Sequence, residues 1–449
     1  MSGVTGNNPY RASGVVAAAA GGGAVDWCTT AKTSPLTAEA GKGYFVNTTC
    51  GAITVTLPAS PTAGDIVAVK DYGGTWQTNN VTLGRNSSKI NGECEDATLN
   101  TEAQSVTMIY VDGTKGWQDV NDSTADVTGA GYITATGGNA VVTCGDWKTH
   151  IFTGAGTFCV SALGSPTANT VEYLVVAGGG AGGYGTPSAG GGGGGGFRYF
   201  SALSPAGSPL VAPAGVTVTA SPYSIVVGPG GAVGPASPQP NPGYGYNGGV
   251  STFSTICSAG GGSGGYHNAG VGMSGGSGGG GGNASAPITI TPGGAGDTPD
   301  VEPDQGQDGG AGGQLAGGST PNHRQGGGGG GAGAAGSHVT PTTHGSAAGD
   351  GSYIPDGFIG PTAPTYGTPG PVSSTRYFSG GGGGGGYTSS PGPTGGGAGG
   401  AGGGEAGASG PGNASDTVSA NMGGGAGGTY SNNSVAGGSG IVMIRYQYQ

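Results

Sequence analysis

VEYLVVAGGGAGG, residues 171–183, is an apolar strand that runs directly into glycine, with the spacing Gly178-x-Gly180-x-x-Gly183. The same spacing marks dinucleotide-binding turns, where a strand delivers a pyrophosphate to the amino end of a helix. The continuation, YGTPSAGGGGGGFRYF, denies that reading. A proline and six consecutive glycines cannot build the required helix, since each glycine costs roughly 1 kcal/mol relative to alanine there. No acid lies between Glu172 and Asp297 to hold a ribose hydroxyl. The glycine must therefore serve the backbone itself.

Glycine makes up 113 of 449 residues, without the strict Gly-X-Y period of collagen. Its runs begin at irregular intervals, which excludes a fixed-period solenoid. A glycine segment in the left-handed threefold helix makes no internal hydrogen bonds and points every amide and carbonyl outward. Packed side by side, such segments satisfy those groups on one another. The run 191–196 would form a rod of roughly 19 Å at about 3.1 Å per residue. FRYF (197–200) and RYF (376–378) flank such runs and Tyr387 closes one, so large rings are expected to cap the rods. YSIVVG, VSTFSTIC and the terminal IVMIRY read as strands that a disordered linker does not need. The body opens on VEYLVVA and closes on IVMIRY, and we expect these two strands to pair.

Upstream, residues 26–122 change character. GAITVTLP places Ile53, Val55 and Leu57 on one face and Thr54 and Thr56 on the other, the period-two pattern of a half-buried strand. DIVAVKD and SVTMIYVD follow, divided by turns such as DYGG. The expected architecture is mainly β. An N-terminal antiparallel β-domain (26–122), in its simplest form a small sandwich, follows an arm or linker (1–25). A bridging hairpin region (123–170) leads to a glycine-rich domain (171–449) of packed polyglycine II-like rods, short strands and exposed loops. The hairpin is expected between WKTHIFT and GTFCVSA.

The net charge is −11, and beyond Lys148 four arginines face ten acids. No basic stripe exists to neutralise phosphates, so nucleic acid and anionic membrane are poor partners. The six cysteines form no Cys-x-x-Cys pair, which leaves zinc and dithiol chemistry unsupported and points to thiols in a reducing cytosol. The sequence lacks a His-Glu-x-x-His motif, and Gly-x-Ser-x-Gly occurs only within glycine runs (261–265, 272–276 and 275–279), where no helix can follow to make a nucleophile elbow. We expect no enzymatic activity and no cofactor.

FVNTTCGAITVTLPASPTAGDIVAVKDYGGTW, NNVTLGRNSSKING and IYVDGTKGWQDVND together resemble the β-domain of fibre and structural proteins of tailed, marine-type bacteriophages. THIFTGAGTFCV, VEYLVVAGGGAGG and GGSGIVMIRY resemble the glycine-rich carboxy-terminal module of such proteins, and the rods resemble polyglycine-helix phage adhesins. The chain differs from those adhesins in carrying its own β-domain and in less regular glycine runs. The resemblance implies a virion fibre protein, assembled in the host cytoplasm as a homotrimer. It would bind other virion proteins through its N-terminal region and a host cell-surface protein or glycan through its loops. A purely structural fibre or capsid decoration is the alternative, with a glycan depolymerase a more distant one.

On that reading recognition falls on the longest segments between runs, 205–250, 283–308 and 337–379. They hold Tyr244, Tyr246, His338, His344, Tyr353, Phe358 and Tyr366. Tyrosine suits binding loops because it offers a rigid amphipathic surface at low entropy cost; the competing role for each ring is capping a rod. In GDTPDVEPDQGQD, Asp300, Glu302 and Asp304 are calcium candidates by composition, although their spacing fails the EF-hand pattern. A solvated acidic loop is the simpler reading.

Overall fold

The computed structural model describes residues 25–122, 132–164, 169–203, 210–234, 245–268, 270–284, 289–315, 323–340, 344–387, 395–409, 418–430 and 434–448. Nearly all of the expected arm (1–24), the start of the bridging region (123–131) and Tyr244 lie outside them. The chain divides into two compact units, 1–131 and 132–449. The architecture is mainly β, and the helices among the described residues are two short 3-10 turns, Asp356–Phe358 and Gly360–Thr365.

The first unit has two sheets. One has the order β1 (Asp26–Lys32), β3 (Lys42–Val46), β5 (Ile66–Asp71), β8 (Ser105–Asp112), β9 (Gly116–Asp122). The other runs β2 (Leu36–Thr37), β4 (Ile53–Thr56), β6 (Val81–Gly84), β7 (Ala97–Leu99). Val46, Val67, Val69 and Met108 of the first share a buried core with Val55, Leu83 and Leu99 of the second, enclosing Trp76 and Trp117. Only β5–β8, β8–β9 and β6–β7 are antiparallel as expected. The pairs β1–β3, β3–β5, β2–β4 and β4–β6 are parallel. From β1 to β6 the chain steps alternately between the sheets, so each strand of one sheet is the crossover connection for the other, and returning strands keep their direction.

In the second unit the expected hairpin is absent. β12 (Trp147–Phe152) joins a six-stranded sheet, in the order β11 (Ala140–Cys144), β12, β26 (Ile441–Gln447), β14 (Thr170–Val176), β15 (Phe197–Phe200), with β16 (Val216–Thr217) beside β14. β13 (Gly156–Ala162) joins a different sheet, between β10 (Thr134–Thr136) and β17 (Pro222–Val226), which continues to β18 (Ser251–Phe253) and β19 (Ile256–Ser258). Each half of that hairpin pairs within its own sheet, β12 with β11 and β26 and β13 with β10 and β17, and the short GAG link carries the chain from one sheet to the other.

β14 and β26 pair antiparallel, with Glu172 opposite Arg445 and Val176 opposite Ile441. Their near-continuous apolar runs are explained by cover on both faces. Val171, Tyr173, Val175, Val442, Ile444 and Tyr446 pack with Phe158 and Phe253 of the five-stranded sheet. Leu174, Val176, Ile441 and Met443 pack on the opposite side with Phe197, Tyr199, Phe358 and Phe378. Each such side chain contributes about 1.5–3 kcal/mol on full burial. Arg445 and Glu172 form a buried ion pair. The carboxylate also accepts from the Ser201 hydroxyl (2.9 Å) and the Ala202 amide (2.9 Å), and the guanidinium lies 3.9 Å over the Trp147 ring. His150 joins β12 to β26: Nδ1 bonds the Gly137 carbonyl (2.7 Å) and Nε2 the Tyr446 hydroxyl (3.0 Å). Burial pushes the His150 imidazole down and the Tyr446 phenol up to about 12.

The glycine runs form rods of the expected kind. In residues 190–196 the amides of Gly191 and Gly194 donate to Gly327 and Gly330, those of Gly192 and Gly195 to Ala426 and Gly423, and those of Gly193 and Gly196 to Gly262 and Ala259, all at 2.7–3.1 Å. The carbonyls accept in the same rotation. Gly191 and Gly194 receive Gly280 and Ser277, Gly192 receives Gly382, Gly195 the Ser379 hydroxyl, and Gly190, Gly193 and Gly196 receive Gly183, Gly180 and Ala177. Partners repeat every third residue, the period of the polyglycine helix. Six neighbours thus ring one central rod: 177–183, 259–265, 277–282, 326–331, 379–385 and 423–428. The spacing leaves no room for a side chain. A Cβ at Gly191 would lie 1.9 Å from the Gly382 carbonyl oxygen, and one at Gly193 would lie 2.2 Å from that of Ser277.

Gly193→Ala is therefore expected to destabilise the second unit by at least the 1–3 kcal/mol typical of overpacking. Gly154→Ala, where a Cβ meets nothing within 4 Å, should stay within about 0.5 kcal/mol. Thermal melts of the two variants read the difference. Glu172→Ala should cost about 3–5 kcal/mol by stranding a buried guanidinium, measurable by chemical denaturation. His150 is held neutral in the fold, so below an ordinary imidazole pKa of about 6.5 the unfolded chain binds the extra proton and stability falls with pH. Denaturation midpoints between pH 7 and pH 5 should drop less steeply in His150→Gln than in the native chain.

Candidate functional site at the far end of the rods

The hydrogen-bond register fixes which residues share an end of the bundle. At the Gly196 end stand Ala177, Ala259, Ser379 and Gly423, so this end abuts β14, β15, β19 and β24 (Thr375–Phe378). At the Gly190 end stand Gly183, Gly265, Gly282, Gly326, Gly385 and Gly428. The residues next to those glycines therefore gather at the far end: Tyr184, Tyr266, His267, Arg324, Tyr387 and Tyr430, all half-buried.

A small sheet spans this end, in the order β20 (Thr289–Thr291), β21 (Gly312–Leu315), β22 (His323–Gln325), β25 (Gly386–Tyr387). The Tyr387 and Tyr430 rings lie 5.3 Å apart at 32°. Burial and then the neighbouring Tyr387 hydroxyl push the Tyr430 phenol up. Tyr266 meets His267 edge-on at 6.5 Å, and the His267 amide donates to the Tyr184 carbonyl at 3.3 Å. Burial lowers the His267 pKa, which favours a neutral ring with one donor and one acceptor nitrogen. Thr429 ties the segment leading to Tyr430 back to Gly183 through its amide (3.1 Å). The result is a set of ring faces and polar tips held on a rigid base. Such a surface is suited to non-covalent recognition, in which little ordering is needed on contact.

The residues singled out by sequence divide between the two ends. His338 is exposed at the far end, where its Nδ1 accepts from the Ala311 amide at 2.9 Å just before β21. His344 is also exposed and bridges to Gly395 beside the Gly384–Gly386 end of a rod. Tyr246 is 58% exposed along the side, its carbonyl accepting from Ala181. Tyr353, Phe358 and Tyr366 belong to the opposite end. There β23 (Ser352–Pro355) pairs with β24, and Tyr353 packs on Tyr377 at 5.1 Å. Phe358 is fully buried in the core under β14 and β26, and Tyr366 packs against that core. Phe358 thus leaves the set of candidate contacts: its ring completes the core on this face of β14 and β26, packed edge-on against Tyr199 at 5.5 Å.

The acidic loop uses its carboxylates internally. The two oxygens of Asp297 accept from Val301 (3.3 Å) and Gln305 (3.1 Å), and Asp308 accepts from Gly296 (2.7 Å). A hydrogen bond with Asp297 raises the Asp300 pKa. Among the described residues no group of three or more His, Cys, Asp or Glu side chains is placed to hold a metal, and Asp300, Glu302 and Asp304 do not converge on one. All six cysteines are free thiols.

Tyr184, Tyr266, His267 and Tyr430 were missed as contact candidates, and Tyr387 was read only as a cap. Their signal was present: each sits within two residues of a glycine run. What the sequence lacked was the direction of each rod, which alone says which flanks meet. The chain matches no curated protein. The family model for a glycine-rich domain matches residues 153–447, from the end of β12 through all the rods to the last residue of β26. The chain belongs to that glycine-rich domain family.

Proposed function

We propose that this chain is a virion fibre protein of a tailed bacteriophage that attaches the particle to its host cell through the far end of the rod bundle. The observation that carries the reading is the gathering of Tyr184, Tyr266, His267, Tyr387 and Tyr430 at one end of a scaffold otherwise nearly free of side chains. A glycine bundle buries its own backbone and spends its large residues only at its ends. Rings kept half-exposed at the end away from the large sheets are not needed by the core. The resemblance of both halves of the sequence to phage fibre modules supports the virion setting. On the same reading residues 1–131 provide assembly contacts and the fibre is a homotrimer.

The test is binding of the labelled intact chain to a panel of bacterial hosts. Saturable binding to at least one host is expected. Tyr387→Ala with Tyr430→Ala should weaken it by at least about tenfold, the scale of about 1–2 kcal/mol for anchoring rings. Tyr72→Ala, an exposed tyrosine of the first unit, should leave it unchanged. A folded chain that binds no host would favour the purely structural fibre. Sedimentation equilibrium should give about three times the 42.1 kDa chain mass; a single-chain mass would contradict the trimer.

A further inference from the structure

The second unit has four arginines, and three are committed to the protein. Arg445 pairs with Glu172. Arg198 donates to the Glu302 carbonyl at 3.1 Å, and Arg376 donates to the carbonyls of Tyr366 (2.9 Å) and Gly367 (2.6 Å). Arg324 is the exception. No acceptor for its guanidinium is found among the described residues, and its Nε is withdrawn from solvent with no partner. A donor in that position costs stability unless something outside the chain answers it.

Its setting says what would. Arg324 is at the centre of the end sheet, directly opposite Gln314 on one side and Tyr387 on the other, with Thr289 opposite Gln314 in turn. Residues paired in this way lie on one face with neighbouring Cβ atoms about 5 Å apart. Gln314 is itself buried, at 5% exposed, so the half-buried members of the row are the hydroxyl of Thr289, the guanidinium of Arg324 and the phenol of Tyr387. Across three strand spacings the row is about 14 Å long, and the Tyr430 ring extends it past Tyr387. That length suits a short oligosaccharide rather than one sugar. Tyrosine faces stack on the apolar C–H faces of a pyranose, while threonine exchanges hydrogen bonds with its hydroxyls. The planar fork of an arginine matches a carboxylate with two parallel bonds.

We propose that Thr289, Arg324 and Tyr387, in line across the buried Gln314, are with Tyr430 a subsite for a carboxylate-bearing oligosaccharide, the acid seated on Arg324 and a neighbouring sugar ring on the tyrosines. This rests on the attachment reading and names its ligand class. The chain carries a net charge of −11, so it repels polyanions in general, and selection comes from one placed cation rather than a basic field.

The experiment uses the intact chain on an array of uronic- and sialic-acid oligosaccharides, each beside its carboxyl-reduced neutral counterpart. Cell binding is run in parallel on hosts treated with periodate or with protease. At least one acidic member should bind at least tenfold better than its reduced form. Arg324→Gln should abolish that preference, Arg324→Lys should recover only part of it, and Tyr387→Ala should weaken acidic and reduced forms alike. The melting temperature of Arg324→Gln should match the native chain, since the guanidinium holds no group among the described residues. Equal binding of acidic and reduced forms, or an unchanged Arg324→Gln variant, overturns the proposal. Cell binding that survives periodate and is lost to protease assigns the surface to a protein ligand and also overturns it, while leaving attachment intact. Absence of binding to every glycan and every cell removes both readings.

Discussion

In the threefold glycine helix no amide can reach a carbonyl of its own segment, so every one must be met by another segment about one backbone diameter away. That constraint governs the whole second unit. It explains why the bundle consists of many short rods brought together from distant parts of the chain: the central rod 190–196 needs six neighbours drawn from residues 177 to 428. It also explains why the substituents inside are limited to glycine and a few alanines and serines. A methyl group at Gly191 would occupy the space of the carbonyl oxygen of Gly382. Stability here comes less from apolar area than from backbone pairing between adjacent rods.

Such a bundle cannot hold its own ends. Rods supply little hydrophobic burial, and ordering glycine costs more conformational entropy than ordering any other residue. The six-stranded sheet meets that need. β14 enters the bundle and β26 leaves it, and the two lie side by side with cores on both faces. The ion pair between Glu172 and Arg445 sits across that junction, 273 residues apart in sequence. The first and last strands of the module are therefore held by one another, independently of the segments between rods.

The same arrangement separates two kinds of aromatic residue that look alike in composition. Rings at the sheet end, Phe197, Tyr199, Phe358 and Phe378, are buried and serve the core. Rings at the other end, Tyr387 and Tyr430 among them, remain half-exposed at the same end as Arg324, whose Nε meets no acceptor among the described residues. The proposed attachment surface rests on that second group, because its rings are only half taken up by the fold.

Much of this was legible in the sequence. Glycine content with apolar strands at both ends determined a mainly β chain with polyglycine rods, since no other residue lets backbones approach so closely and no linker needs VEYLVVA or IVMIRY. The period-two pattern of GAITVTLP likewise determined half-buried strands in the first unit. Tertiary structure decided the rest. Strand direction there follows from the chain alternating between two sheets, which local pattern does not encode. WKTHIFT and GTFCVSA part company because each pairs within its own sheet, β12 beside β26 and β13 beside β17. Phe358 and Tyr387 each lie in or beside a segment between glycine runs, and sequence gives no reason to bury one and expose the other. The register of the rods assigns them to opposite ends, and that register exists only once every amide has chosen its neighbour.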